Sequence, residues 1–436
     1  MKFYIETFGC TANFGNSQET ADALVRLGHV PANIDCADVV IVNTCAVTAR
    51  TERKILRRLR ALPGDRLVIG GCLPSALPDS LQAIPCKKQL GLLDRGAAGE
   101  IAALFSQSGP APSHPSPSEL DCRTSAGTAG IAGIGSTTGS LRSTPANRIG
   151  IINISEGCSG RCTYCIVRLA RGRLASKSAG EVVEQARSLA FQGAFEIELA
   201  AQDTASYGAD NGSSLPELLD RLASLPGDFM VRVGMMNPDT LMPRLEEMIR
   251  ALQSPRVFRF LHIPLQSGSN DVLERMGRRY TAQEFIAIIG ALRSSLPDIT
   301  INTDVICGFP GETEEDFRQT MNAVRQVQPD KVNVTRFSPR PGTPAARLYD
   351  MPDRIKKERS REMTALWLEI AARKNCRHMG QVLDALVTEC GSGATMKARS
   401  SNYTGIVVSG APDLGKFCRI KIEESNPFYL KGVLRL

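Results

Sequence analysis

No stretch of the 436-residue chain approaches the ~18 consecutive apolar residues that a membrane-spanning helix requires. The opening residues, MKFYIETFGC, lack the apolar core and small-residue cleavage site of a secretory leader and read as a strand. A soluble protein of the cytoplasm, with no membrane partner, is the expectation. Large charge excess is absent too: 52 Lys and Arg against 45 Asp and Glu leave +7. That balance suits a nucleic-acid partner without demanding one. Hydrophobic content of 42% and charged content of 22% are those of an ordinary globular protein. The length suffices for two or three domains.

Cysteine is the residue that is not scarce, at thirteen copies. In a reducing compartment such usage points to metal or catalysis rather than to a disulfide framework. Cys158, Cys162 and Cys165 share one short loop, GCSGRCTYC, after the apolar run Ile149 to Ile154. What the loop lacks is a fourth cysteine. Iron–sulfur clusters are usually held by four, whereas three thiolates can bind three irons of a cubane and leave the fourth iron open. The open iron would bind something other than protein. A structural zinc loop short of one ligand, or three unrelated buried cysteines, are the plainer readings of the same spacing.

Upstream of the loop, strand and helix signals alternate. Lys2 to Glu6 is β-prone and breaks at Thr7-Phe-Gly-Cys10, and helical periodicity runs from Asn16 to Leu27. Ala37 to Asn43 is an unbroken apolar run of the buried parallel-strand kind, ending at Thr44-Cys45. A basic helix over 49–61 leads to a third run, Arg66 to Gly70, ending at Gly71-Cys72. This β-α-β-α-β order predicts a parallel sheet, a flavodoxin- or Rossmann-like domain over 1–105. Cys10, Cys45 and Cys72 each fall just past the carboxyl end of a strand, the edge where α/β sheets bind ligands. They are expected to converge on a second cluster with a second open iron. The alternative is that cysteine is simply common in cores. Cys36, Cys86 and Cys122 lack this placement and read as ordinary.

Residues 106–147 are rich in Ser, Gly, Ala, Pro and Thr with few apolar anchors, and predict a flexible linker. His114 within it is not read as a ligand. From 148 to 375 six strand signals alternate with helices: 149–154, 196–201, 230–235, 258–263, 300–306 and 331–335. Six such units fit a partial (β/α)6 barrel with its site at the strands' carboxyl ends. The polar residues there are Gln202, Asp203, Asn237, Gln266, Ser267, Asp304 with Cys307, and Arg336. Each has a plainer reading as a structural hydrogen-bonding group. Arg171 and Lys177 follow the cysteine loop and could contact phosphate or carboxylate, or be solvated. Asp353 to Asn375 reads as a long basic amphipathic helix holding the single Trp367. Residues 376–436 carry short strand signals, a small OB-like β-barrel of a kind that binds oligonucleotides. Its eight Lys or Arg against five Asp or Glu are a small excess. Tyr403 and Phe428 could stack on bases or belong to the barrel core.

Taken together, these motifs resemble the radical S-adenosylmethionine methylthiotransferase family over nearly the whole chain. ETFGCTANFGNSQ, VVIVNTCAVT and IGGCLP look like its auxiliary-cluster domain, and EGCSGRCTYCIVRLARGRLASKS like its radical loop. AAQDTASYG, HIPLQSGSNDVLERMGRRYT, DVICGFPGETEEDF and FSPRPGTPA look like its later barrel segments, and the tail like its RNA-binding TRAM domain. The N-terminal and radical-loop stretches look most like the archaeal and eukaryotic tRNA branch. One departure is Arg168, where many members carry proline.

The resemblance implies an α/β multidomain enzyme with two 4Fe–4S clusters and S-adenosylmethionine. Cys158, Cys162 and Cys165 would hold the cluster that cleaves S-adenosylmethionine. Cys10, Cys45 and Cys72 would hold the one that presents sulfur. The implied reaction converts N6-threonylcarbamoyladenosine beside the anticodon of tRNA to its 2-methylthio derivative, consuming two S-adenosylmethionine molecules. Gln202, Asp203, Gln266, Ser267, Asp304 and Arg336 are the candidates to bind the cofactor or the target base. A sulfur donor and a low-potential electron donor protein are implied partners, and the chain is expected to be a monomer. Rival readings are methylthiolation of a ribosomal-protein aspartate or of isopentenyladenosine in tRNA, a non-catalytic iron–sulfur or RNA-binding protein, and a zinc protein.

Overall fold

The computed structural model of the chain describes residues 1–106, 138–140 and 149–435. The first sheet grows from β1 (Lys2–Phe8), α1 (Thr11–Arg26), β2 (Val30–Pro31), β3 (Val39–Thr44) and α2 (Ala49–Arg60). It continues through β4 (Leu67–Gly71), α3 (Cys72–Ala76), β5 (Lys88–Gln89) and α4 (Arg95–Ser106). The strands lie parallel in the order β2-β1-β3-β4-β5. β3 is buried at every position, as a strand covered on both faces must be. Its alternation divides the core: Val40 and Val42 meet Ile55 and Leu59 of α2, while Val39 and Ile41 meet Leu24 and Ile101.

A further strand, β6 (Thr138–Ser140), pairs antiparallel with the end of β1. The flexible linker expected over 106–147 thus contributes a short strand at these three residues, where the edge of β1 beyond β2 offers unpaired backbone groups. The rest of that expectation, with His114 and Cys122, lies outside the described residues.

The second unit opens with β7 (Ile149–Asn153), and the antiparallel pair β8 (Ser155–Glu156) and β9 (Ala175–Ser176) brackets the cysteine loop. Between them lies α5 (Val167–Arg171). Then follow α6 (Ala179–Phe191), β10 (Glu196–Ala200), α7 (Leu215–Ala223), β11 (Met230–Val233), α8 (Pro238–Leu241) and α9 (Leu245–Leu252). The unit ends with β12 (Phe260–His262), α10 (Asn270–Arg275), α11 (Ala282–Ser295), β13 (Thr300–Cys307), α12 (Glu314–Val327) and β14 (Lys331–Arg336). β7, β10 and β11 form one parallel ladder and β12, β13 and β14 another. The bridges Val231↔Val257 and Met235↔His262 join them. The result is the six-stranded partial barrel that the periodicity predicts. Capping boxes at Ser178, Thr281 and Thr313 start three of the outer helices where the Ser/Thr-x-x-Glu/Asp spacing places them.

Helix α13 (Asp353–Cys376) spans the predicted basic segment, but much of its charge is spent internally. Lys356 pairs with Asp350 at 2.8 Å, Arg359 with Glu312 at 2.6 Å, and Lys374 with Asp330 at 2.5 Å. Met363, Trp367, Ile370 and Ala371 pack into the barrel core. The tail forms a closed barrel from β15 (Val382–Cys390), β16 (Thr395–Ser400), β17 (Gly405–Ser409), β18 (Phe417–Ser425) and β19 (Leu430–Leu434). β16 carries no clear apolar alternation, since only Ala398 and Ser400 are buried, and the sequence reading missed it.

Tyr403, offered as a base-stacking candidate, belongs instead to the junction of the two barrels. Its φ of 65° turns the chain so that the ring packs on Phe258 and Phe260, with centroids 4.8 and 5.1 Å away. Its hydroxyl donates to Glu196 Oε1 at 2.6 Å. Arg232 lies over the same ring and pairs with Glu198 at 2.8 Å. The small barrel thereby closes the amino-terminal end of the β10–β12 strands. Phe428 remains 67% exposed, edge-on to Trp367.

Burial, reinforced by Glu198, pushes the Glu196 carboxyl up to about 7, against the Tyr403 hydrogen bond and Arg232. The folded chain therefore keeps a proton that the unfolded chain releases near 4.5, so stability from this group falls as pH rises between about 4.5 and 7. Tyr403→Phe removes the donor and should cost about 1–3 kcal/mol. The loss should be larger at pH 8 than at pH 5, since only the ionised carboxylate is stranded. Urea unfolding at both pH values checks this; equal losses would refute it.

Candidate cluster and cofactor site

Cys10 caps α1, Cys45 follows β3, and Cys72 opens α3 directly after β4. The predicted strand-then-cysteine placement is met at all three positions. Glycine permits the close approach. Gly9 has φ 116°, and a Cβ there would lie 2.9 Å from Cys45 Cβ. Gly71 has φ 94°, and its Cβ would strike the Thr44 carbonyl at 2.5 Å. Asn13 then ties the turns together. Its Nδ2 donates to the Phe8 carbonyl at 2.6 Å and the Thr44 carbonyl at 2.9 Å, while its Oδ1 lies 3.8 Å from Cys72 Sγ. Burial pushes the Cys45 thiol up to about 12, with Cys10 and Cys72 adding to the shift. Cys72 is raised by burial, partly offset by Arg171. Cys45 and Cys72 therefore both lie within electrostatic reach of Cys10.

The second set is held by its loop's own backbone. Gly157 has φ 75°, and any side chain there would run into the Arg173 carbonyl. The Gly160 N–H donates to Cys158 Sγ at 3.2 Å. A Cβ on Gly160 would lie 3.2 Å from Cys158 Sγ and 3.8 Å from Cys162 Sγ. Thr163 clips the loop to the barrel, donating from N to the Met276 carbonyl at 2.9 Å and from Oγ1 to the Arg275 carbonyl at 2.8 Å. Burial raises the Cys165 thiol to about 12, with Cys162 next in effect.

Among the described residues, no three or more His, Cys, Asp or Glu side chains close into a ready-made ion site. The cluster reading rests on the mutual electrostatic reach of the thiols and on their donor chemistry. Thiolates are the usual ligands of iron–sulfur clusters, and deprotonating them calls for nearby positive charge. Each set has a cation beside it: Arg171 at the first and Arg278 at the second. Three soft donors, a backbone N–H aimed at sulfur and a neighbouring guanidinium fit the group.

Around the second set the barrel mouth divides. Gln202 keeps both amide atoms buried without a partner, and Gln266, at φ 64°, keeps its Oε1 so. Asp203 is 1% exposed and accepts from Asn237 N at 3.0 Å, Asn237 Nδ2 at 3.0 Å and Thr240 Oγ1 at 2.8 Å. Burial raises its carboxyl above the usual range despite those donors. Asp304 meets His262 Nε2 at 2.9 Å and Asn333 Nδ2 at 2.7 Å. Burial would lift its carboxyl, but His262, Asn333 and Arg278 together hold it low.

Two candidates do not line the mouth. Ser267 is fully buried and bonded to Thr320 Oγ1 at 3.2 Å, because the turn before α10 packs on α12. Arg336 is half-exposed at the rim and paired with Asp353 at 3.0 Å. Cys307 is buried in the barrel core.

The sequence reading missed Arg278. Its Nη1 donates to Asn237 Oδ1 at 2.6 Å and its Nη2 to Tyr164 Oη at 2.7 Å. With Gly160, Cys162, Asp203 and Asn237 it lines a pocket against the cysteine loop. Nothing in Gly-Arg-Arg-Tyr280 separates it from a surface charge. Arg171 is neither a phosphate contact nor solvated: it is buried against Glu156, Asn13 and Asn16. Lys177 lies 3.4 Å from Glu19. Among the described residues, no helix is long and apolar enough to cross a membrane.

Comparison with known proteins agrees with this architecture. Residues 152–324 match the Radical SAM superfamily, 2–91 the Uncharacterized protein family UPF0004, and 377–434 the TRAM domain. A solved radical S-adenosylmethionine methyltransferase, TsrM from Kitasatospora setae, has the same fold over 76% of this chain and 70% of its own, with TM-score 0.54 and 17% identity. Fold and loop together define a radical S-adenosylmethionine enzyme with an added α/β domain and a TRAM barrel, and superfamily membership implies one 4Fe–4S cluster and S-adenosylmethionine. A protein of Archaeoglobus fulgidus named "Probable threonylcarbamoyladenosine tRNA methylthiotransferase" is 39% identical over 100% of this chain and 99% of its own length. A Danio rerio "Threonylcarbamoyladenosine tRNA methylthiotransferase" is 35% identical over 99% of this chain and 78% of that one. The chain belongs to the threonylcarbamoyladenosine tRNA methylthiotransferase family.

Because Ser267 bonds inward, Ser267→Ala should cost about 1–2 kcal/mol of stability and leave S-adenosylmethionine affinity unchanged. Urea unfolding and equilibrium dialysis separate the two effects. A weakened affinity at unchanged stability would place Ser267 in the mouth after all.

Proposed function

We propose that the protein converts N6-threonylcarbamoyladenosine beside the anticodon of tRNA to its 2-methylthio derivative, with two S-adenosylmethionine molecules consumed per product. The observation that carries this reading is the presence of two separate three-cysteine sets, each at the carboxyl edge of its own parallel sheet. They are brought together by α5, whose Ile166 and Ala170 flank share a core with Cys45 and Cys72. Replacing an unactivated aromatic C–H by C–S–CH3 lies beyond side-chain acids and bases, so cofactors carry it. Cys158, Cys162 and Cys165 would hold a cluster that supplies the radical from S-adenosylmethionine. Cys10, Cys45 and Cys72 would hold a second that supplies the sulfur.

The chain's own task is to bind, orient and exclude water. Gln202 and Gln266 offer amides with unmet hydrogen-bonding capacity, which a bound cofactor or base would satisfy. Asp203 and Asp304 set the polar floor of the mouth, and Arg336 can reach a ligand only by leaving Asp353. Beside the loop, Ser159, Tyr207, Arg244 and Arg279 line a groove of about 660 Å³ that leads toward the same pocket. An adenosine in a hairpin loop can be splayed from its neighbours to enter such a site. The TRAM barrel would add salt-dependent phosphate contacts. A sulfur source and a low-potential electron donor are required, and we place the enzyme in the cytoplasm as a monomer.

Changing Cys158, Cys162 and Cys165 to Ala should abolish S-adenosylmethionine cleavage and remove about half of the iron, one cluster's share of two. The Cys10, Cys45 and Cys72 triple variant should keep cleavage and lose methylthiolation. Iron analysis, cleavage assays and nucleoside mass spectrometry on anaerobic preparations read all three. Methylthiolated product from the second variant would refute the division of labour. Gln202→Leu should raise the Kd for S-adenosylmethionine about tenfold, the effect of one lost hydrogen bond of about 1.4 kcal/mol. An unchanged Kd would remove Gln202 from the site.

A further inference from the structure

We infer that Arg171, acting through Asn13, is a positioning residue that fixes the N-terminal cysteine set against the radical loop and holds positive charge beside it. The inference rests on the two-cluster reading above. Arg171 ends α5, six residues after Cys165, so it is attached by a short rigid path to the loop of Cys158, Cys162 and Cys165. Its side chain is only 2% exposed. The guanidinium forks: Nη1 pairs with Glu156 Oε2, and Nη2 donates to Asn13 Oδ1 and, at 3.0 Å, to Asn16 Oδ1. Glu156 stands two residues before Cys158, so the two ends of the radical loop are clamped by one ion pair.

The clamp is pressed onto α1 of the other domain. Glu156 Oε1 accepts from Asn16 Nδ2 at 2.8 Å and from Asn153 Nδ2 at 3.2 Å, and Asn153 also donates to the Ala12 carbonyl at 3.0 Å. Gly15 leaves the room: a Cβ there would lie 2.6 Å from Asn153 Oδ1. From Asn13 the contact reaches all three N-terminal cysteine turns, through the Phe8 and Thr44 carbonyls and the edge of Cys72 Sγ. Cys10 and Cys72 lie within electrostatic reach of the guanidinium.

Arginine suits both duties. Its planar fork can hold a carboxylate and two amides at once, and it stays charged when buried. Lysine would keep the charge but not the fork. Leaving Glu156 without its partner inside the interface would be costly, so a loss of structure must be separated from a loss of tuning.

The test compares Arg171→Lys, Arg171→Met and Asn13→Ala with the full-length protein, reconstituted anaerobically. Iron content and thermal melting report whether each variant is folded and loaded. Potentiometric titration followed by electron paramagnetic resonance reads the midpoint of each cluster. In Arg171→Met, the N-terminal cluster should shift to a more negative potential, because a stabilising positive charge is gone. The radical cluster should keep its midpoint within error, and methylthiolation should fall at least tenfold and by more than S-adenosylmethionine cleavage does. Arg171→Lys should restore most of the potential but not the product yield. Asn13→Ala, which leaves the Arg171–Glu156 pair intact, should lose iron from the N-terminal set alone.

A loaded Arg171→Met protein with unchanged potential and yield would overturn the inference. If it does not fold, Asn13→Ala decides, and full N-terminal iron there would overturn it. Wild-type protein holding a single cluster would instead refute the underlying two-cluster reading.

Discussion

Thiols that must give up their protons side by side repel one another, and holding them together is the constraint on which the rest of this structure depends. Burial alone works against it, as the upward shifts of Cys45 and Cys165 record. The fold answers with geometry and charge. Strand ends converge at one sheet edge, glycines at positions 9, 71 and 157 let backbones approach, and Arg171 and Arg278 stand beside the sulfurs. Neither cation is loosely placed. Each guanidinium is held by amides or phenols that are themselves anchored to strand ends or to the loop.

The same logic orders the barrel from bottom to top. At the amino-terminal end of the strands, the small barrel inserts Tyr403 among Glu196, Glu198 and Arg232, sealing an interior that would otherwise expose buried charge. In the middle, His262, Asp304 and Asn333 satisfy one another. Toward the mouth, Gln202 keeps both amide atoms and Gln266 its Oε1 buried without a partner. Unmet hydrogen bonds are costly in a packed interior, so a side-chain amide with neither atom paired, as at Gln202, is what a ligand site leaves.

Much of the fold was legible in the sequence, because its signals are local. Unbroken apolar runs such as Val39–Thr44 can only be doubly covered strands, and Ser or Thr three residues before Glu or Asp marks helix starts. The edge strand at 138–140 and β16 were missed for one shared reason. Both pair through backbone groups while their side chains carry little apolar pattern. At the site, residue type, spacing and position past a strand end singled out the six cysteines and the two glutamines as candidates. They could not tell Ser267, turned inward to Thr320, from a residue facing the mouth.

By itself, then, the sequence determined the element order, the parallel sheets, the two cysteine triplets and their likeness to one enzyme family. Each is written in spacing, periodicity or composition. Tertiary structure alone decided that Tyr403 is a seal between barrels, that Arg359 is consumed by an internal ion pair, and that Arg171 joins two domains. These are partnerships across long separations, up to 207 residues for Tyr403 and Glu196. A charge or a phenol carries no local mark of the distant group that will neutralise it. Only folding brings the partner near.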